Sequence, residues 1–231
     1  MHPNRMKKVV IFGTSPAAIQ CHFDLTHDST REVVAFTVDR NFIKEQELLG
    51  LPVVPFEEVE SIYPPANFDM FVAVYAGRVN RTRAEKYTQA KAKGYELITF
   101  VSSRAITYPG MVIGDNCFIS EGAICRPFLE IGNDVLVMSG AFLGHYSTIK
   151  EHCFIAAHAT ILGGTTVEPY CVIGANATIV DDVTVARECI VGAGVVINED
   201  TQEKGVYRVN PPTRLPLPSD KLGNLLFRRR A

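Results

Sequence analysis

The sequence has no tryptophan, and none of its six cysteines stands in a C-x-x-C pair. The second absence argues against a zinc ribbon or a thioredoxin-type site. No apolar run approaches the ~20 residues that span a bilayer. Met1-His2-Pro3-Asn4-Arg5 leads into no signal-peptide core, so a cytoplasmic chain with reduced thiols is expected. Neither sign of charge dominates. Lys and Arg number 23, Asp and Glu 25, and the formal net charge is −2. That gives no general attraction to nucleic acid or to an anionic membrane. The dinucleotide fingerprint G-x-G-x-x-G is also missing. Gly13-Thr14-Ser15-Pro16-Ala17-Ala18 keeps only its first glycine, so NAD is not expected. The N-terminal half holds no glycine-rich phosphate loop followed by Arg or Lys, which disfavours nucleotidyl transfer. What remains is an ordinary globular balance, 47% hydrophobic and 21% charged.

Residues 1–100 alternate between strand and helix patterns. Lys7–Phe12 reads as a buried strand, and Pro16 suits the first turn of a helix over Ser15–Leu25. Val33–Val38 is a second strand. Pro52–Pro55 is a short, proline-bounded edge strand, and Phe56–Ile62 a short helix. Met70–Tyr75 is a third clear strand. Asn80 caps a helix through Lys93, and Tyr95–Phe100 closes the series. Such alternation predicts a small, Rossmann-like, mostly parallel sheet with helices on its faces.

From residue 113 the rule changes. Every sixth residue from Ile113 to Ile197 is aliphatic in fourteen of fifteen cases, Cys125 being the exception. Four residues after each lies a column of mostly small residues. No helical period gives six-residue columns, and fifteen unbroken hexads specify a parallel β-helix. Cys117, Val135, Cys153, Cys171 and Cys189 are eighteen apart, so three hexads make one triangular coil. Two imperfect hexads, Val101–Ala105 and Thr107–Met111, begin the winding. The coil runs over residues 101–205 and a C-terminal tail over 206–231. In the tail, Leu222–Phe227 reads as a short amphipathic helix and Arg228-Arg229-Arg230 as solvated. Its inward cysteines read as core.

The third residue of each hexad belongs at a corner, and sorting by eighteen separates three corners. One holds Pro127, His145, Gly163, Asp181 and Glu199. A second holds Glu121, Ser139, Ala157, Ala175 and Ala193. The third holds Asp115, Asn133, Glu151, Pro169 and Arg187. His145 therefore stands directly above Gly163. Histidine is the usual general base near neutral pH, and a bare glycine N–H one coil away is a ready oxyanion donor. A thin linear ligand fits between the His145 corner of one subunit and the alanine corner of a neighbour.

The repeated Ile-Gly-x-x-x-x pattern, Gly144-His145, Ala157-His158, Gly163-Gly164 and the closing Val209-Asn210-Pro211-Pro212 resemble left-handed β-helix acyltransferases. With the added α/β domain, the chain is similar to the sugar acetyltransferases of the bacillosamine and sialic-acid pathways. The resemblance implies a homotrimer, with acetyl-CoA as co-substrate between subunits and no tightly bound cofactor or metal. It implies a nucleotide-linked amino sugar held by the α/β domain and N-acetylated. It places the catalytic base on His145, the thioester-contacting amide on Gly163, and CoA contacts on Gly163, Gly164, Ala175 and Ala193. Nucleotide-sugar contacts fall on Gly13, Ser15, Asp39, Arg40 and Tyr75. Arg78, Asn80, Arg81 and Arg83 lead into a helix where they could meet phosphate. Two positions depart from the family pattern: Tyr146 replaces an acidic residue after the histidine, and Phe154 replaces a second histidine. His158 and Tyr146 are candidate accessories. Three other readings stay open: a sugar O-acetyltransferase, a non-enzymatic nucleotide-sugar-binding scaffold, and a zinc hydratase, which His145, His152 and His158 suit poorly.

Overall fold

A computed structural model describes residues 8–75 and 77–209. Of the tail expected over 206–231, Val206–Tyr207 instead pairs with Ile190–Val191 and continues the coil; residues 210–231, with the Asn-Pro-Pro, the short helix and the arginines, lie outside the described residues. The N-terminal elements are β1 (Lys8–Phe12), α1 (Pro16–His27), β2 (Val33–Val38), β3 (Glu47–Leu48), β4 (Leu51–Pro55), α2 (Val59–Ile62), β5 (Phe68–Val72) and α3 (Arg81–Ala92). The sheet order is β3-β4-β2-β1-β5. β1 runs parallel to β2 and β5, and β2 parallel to β4. Alternation along β1 sends Val9 and Ile11 to one core and Val10 and Phe12 to the other, so both faces of the sheet are covered.

Three sequence expectations are corrected here. The Pro52–Pro55 strand is not the edge, because β3 pairs antiparallel on its outer side. The hairpin turns through Leu49 and Gly50, both at positive φ, the backbone that tight two-residue hairpins use. The expected strand Tyr95–Phe100 does not form. Leu97 makes a single bridge to Met70, while Phe100–Val101 pairs with Phe118–Ile119 in the coil. Asn80 does not cap α3 with its side chain; it sits at φ 61° and sends its amide to the Cys171 carbonyl, 3.0 Å away.

Two-residue strands then wind into three parallel sheets, forming the left-handed parallel β-helix. The partners are eighteen residues apart, as in Glu130↔Thr148, Leu136↔Phe154 and Phe142↔Thr160. The two periodic columns meet inside as one core, including Cys117, Cys153, Cys171 and Cys189. Each fully buried Ile, Val or Leu there contributes roughly 1.5–3 kcal/mol. Every sixth residue from Asn116 to Gly194 has φ between 52° and 70°, so each corner turns through one left-handed residue.

The outward residues decide which face meets the N-terminal domain. On the sheet containing Phe100, Phe118, Leu136 and Phe154 they are large and apolar, and Phe118 and Leu136 join the core that holds Val9, Ile11 and Phe71. Phe118 packs 4.9 Å from Phe100 and 6.0 Å from Phe71, and Phe154 lies 5.9 Å from Tyr75. A buried polar cluster crosses this interface. Arg83 is fully buried and donates from Nε to Asp134 Oδ1 (3.0 Å) and from Nη2 to the carbonyls of Asp134 (3.0 Å) and Cys153 (3.1 Å). Asp134 also accepts from Asn116 Nδ2 (2.7 Å) and contacts His152 Nδ1 (2.8 Å).

Candidate active site

Ladder hydrogen bonds fix the order along the His145 corner. The Tyr146 N–H donates to the Pro127 carbonyl, the Gly164 N–H to His145, and the Asp182 N–H to Gly163. His145 is exposed, and its imidazole lies across the α-carbon of Gly163. A Cβ built on Gly163 would stand 2.7 Å from His145 Cε1 and 3.0 Å from Nε2. A side chain at this position would displace the ring above it, while the backbone, which is not left-handed, would accept one.

Tyr146 occupies a left-handed position at φ 56°, where an aromatic residue is strained. It is 63% exposed, stacks on Phe128 at 4.8 Å and meets the His145 ring edge-on at 5.6 Å. Among the described residues no hydrogen bond reaches the His145 imidazole. Its orientation comes from Tyr146 on one side and Gly163 below.

The expected bare amide is corrected by the structure. The Gly163 N–H donates to Asp181 Oδ1 at 3.0 Å, and Asp182 covers Gly164 in the same way that His145 covers Gly163. Sequence reasoning placed Asp181 in this corner column but gave it no role; its spacing of eighteen from Gly163 was the available signal.

His158 packs on Gly140 at the second corner, with Ala175 and Ala193 following in that column. The sheet that pairs Phe142 with Thr160 runs between that corner and the His145 corner, so one chain does not bring His158 to His145. His152 stands at the third corner, against Asp134. The three histidines thus occupy three corners.

In the N-terminal domain, Gly13 follows β1 at φ 124°, with a Cβ excluded by the Ala73 carbonyl at 2.9 Å. Ser15 begins α1 with its hydroxyl making no capping bond. Thr14 lines a cavity of about 160 Å³ with Lys44, Glu45, Glu47, Leu48 and Val53. Asp39 follows β2, whose Thr37 carbonyl accepts the Gly13 N–H at 2.8 Å, and holds Lys86 Nζ at 2.6 Å. Arg40 pairs with Glu58, and its backbone N–H donates to Glu57. Tyr75 donates to Gln20 Oε1 (2.8 Å), and burial pushes its phenol up to about 12. Arg83, expected to meet phosphate, is corrected: with no exposed surface and five protein acceptors it is a docking residue. The structure thus gathers Gly13, Ser15 and Asp39 at the carboxyl ends of β1 and β2, and turns Tyr75 and Arg83 into the domain interface.

An α/β domain docked on one face of a hexad-built parallel β-helix defines the class: two-domain, left-handed β-helix chains of the hexapeptide-repeat type. Residues 164–199 match the family model described as bacterial transferase hexapeptide (six repeats). No curated protein matches the chain by sequence. Among solved structures, a variant of perosamine N-acetyltransferase from Caulobacter crescentus, in complex with CoA and GDP-perosamine, superposes with a TM-score of 0.79 at 22% identity. That match covers 87% of this chain and 93% of the other. The acetyltransferase domain of PglB from Neisseria gonorrhoeae, in complex with acetyl coenzyme A, gives a TM-score of 0.74 at 20% identity over 87% and 95%. WeeI from Acinetobacter baumannii gives 0.71 at 17% identity over 87% and 96%. At these identities the likeness is one of fold.

Proposed function

We propose that the chain is an acetyl-CoA-dependent N-acetyltransferase acting on a nucleotide-linked amino sugar, working as a cytoplasmic homotrimer. The observation that carries this reading is His145: an exposed imidazole laid on a glycine at a β-helix corner, in a fold shared with a perosamine N-acetyltransferase whose complex holds CoA and a nucleotide sugar. The acceptor nitrogen attacks the thioester carbonyl carbon. The C–N bond forms, the C–S bond breaks, and His145 Nε2 or Nδ1 takes the proton the nitrogen loses. The imidazolium of His145 returns that proton to the departing sulfur, and coenzyme A leaves as the thiol. The Gly163 N–H serves the developing oxyanion once Asp181 has left it, and no covalent acetyl-enzyme is needed. Gly164, Ala175 and Ala193 keep two corners thin enough for the pantetheine arm. Gly13, Ser15 and Asp39 hold the nucleotide sugar.

The domain arrangement supports more than one copy. The α/β domain docks on the face between the second and third corners, while His145 stands on the first. An acceptor held by one chain's α/β domain therefore meets the His145 of a neighbour. The test is thiol release from acetyl-CoA with GDP-, UDP- and dTDP-linked amino sugars. Acetylated amine as product, lost in His145→Asn, is the expected result. Turnover with none of them, or a full rate in His145→Asn, refutes the reading.

A further inference from the structure

Gly163 is held from two sides at once. The His145 ring lies over its α-carbon, and the Asp181 carboxylate accepts its N–H at 3.0 Å. The same backbone stitch appears at the third corner, where the Asp115 N–H donates to Asn133 Oδ1 at 2.9 Å, so linking coils this way is a general device of the winding. A carboxylate takes a backbone N–H from a neighbouring winding elsewhere too, as Asp200 Oδ1 does from Thr184 at 2.7 Å. What sets the Gly163 stitch apart is that the amide its exposed carboxylate covers lies under the histidine. A carboxylate on that N–H competes with any incoming oxygen and repels a developing oxyanion through like charge.

We propose that Asp181 is a displaceable stopper on the Gly163 amide. In the free protein it closes the amide, and the thioester oxygen of acetyl-CoA must displace it into solvent before the hydrogen bond to the acyl group can form. The proposal rests on the acetyltransferase reading and adds to it a residue that sets the discrimination between acetyl-CoA and CoA. The free thiol has no carbonyl to offer the amide, so it does not compete with Asp181.

Calorimetric titration of the full chain with acetyl-CoA and with CoA tests this, using wild type, Asp181→Ala, Asp181→Asn and the control Asn133→Ala. Removing a charge-assisted hydrogen bond from a solvent-facing site should tighten acetyl-CoA binding about five- to tenfold in Asp181→Ala. CoA binding should change less than about twofold, since long-range repulsion between exposed charges is screened by salt. Asp181→Asn keeps an acceptor without the charge and should fall between. Asn133→Ala should match wild type. Equal tightening for acetyl-CoA and CoA would show plain charge repulsion of the CoA phosphates and overturn the stopper, as would no tightening in either Asp181 variant. If wild type binds neither ligand, the acetyltransferase reading itself fails, an outcome distinct from both.

Discussion

Gly163→Ala isolates the contact on which the site depends. The residue's φ is not left-handed, so alanine fits the backbone, and the perturbation is the added methyl alone. That methyl would stand 2.7, 3.0 and 3.1 Å from His145 Cε1, Nε2 and Nδ1, against an ordinary contact of 3.4–4 Å. The ring must therefore move by roughly an ångström, which is enough to cost on the order of 10²-fold in rate when the group is catalytic. His145 is exposed and can swing into solvent, so the stability change should stay within about 0.5 kcal/mol. The assay is kcat with saturating acetyl-CoA and a competent acceptor, alongside thermal melting. Because the two residues act as one unit, Gly163→Ala in a His145→Asn background should lose little more than either change alone. A kcat within about twofold of wild type in Gly163→Ala would refute the assignment of His145 as the base in this orientation.

Three more outcomes follow from buried and bridging groups. Arg83→Met should cost about 3–5 kcal/mol in urea unfolding, because it leaves Asp134 buried without its cation. Burial pushes Cys125 up to about 11, Cys117 up to about 12 and Cys153 well above the usual thiol range. All six cysteines are buried, so native protein at pH 8 should react negligibly with a thiol reagent and yield all six in denaturant. Asp28 bonds the Ser102 hydroxyl (2.6 Å) and the Ser103 N–H (3.0 Å), which hold its carboxyl below the usual value. Its folded pKa is the lower one, so its contribution is complete above about pH 4 and fades as pH falls further. Asp28→Asn should flatten the stability–pH curve below about pH 4, and an unchanged slope there would contradict the linkage.

The coil was legible because its rule is local and repeated. Six-residue spacing names the inward columns and eighteen-residue spacing names the stacks, so Ile149 above Val167 and His145 above Gly163 could be written down from the chain alone. The misreadings fall where partners are distant or conformation overrides type. Asn80 is a good capping residue, yet its amide answers to Cys171, ninety-one residues on. Arg83 looks like a phosphate ligand at the start of a helix, and its carboxylate partner Asp134 is fifty-one residues away. Tyr95–Phe100 has the composition of a strand, but Tyr95 spends its hydroxyl on the Tyr63 carbonyl, and Thr99 bonds Gly114 in the coil. The segment thus serves as a joint between domains.

The choice of docking face was also written in the sequence, in a column the hexad analysis did not sort. The residue just before each inward aliphatic points out. Taken every eighteen residues, it reads Phe100, Phe118, Leu136 and Phe154 on one face, against Val112, Glu130, Thr148, Thr166 and Thr184 on another. Stacked rings standing out of a sheet have no stable place in water, so the first face must be covered and the second need not be. Covering it with the α/β domain fixes His145 on the far corner. That placement supports the proposal that the acceptor and the base come from different copies. Four outward apolar residues thereby set on which corner, relative to the α/β domain, the proposed base stands.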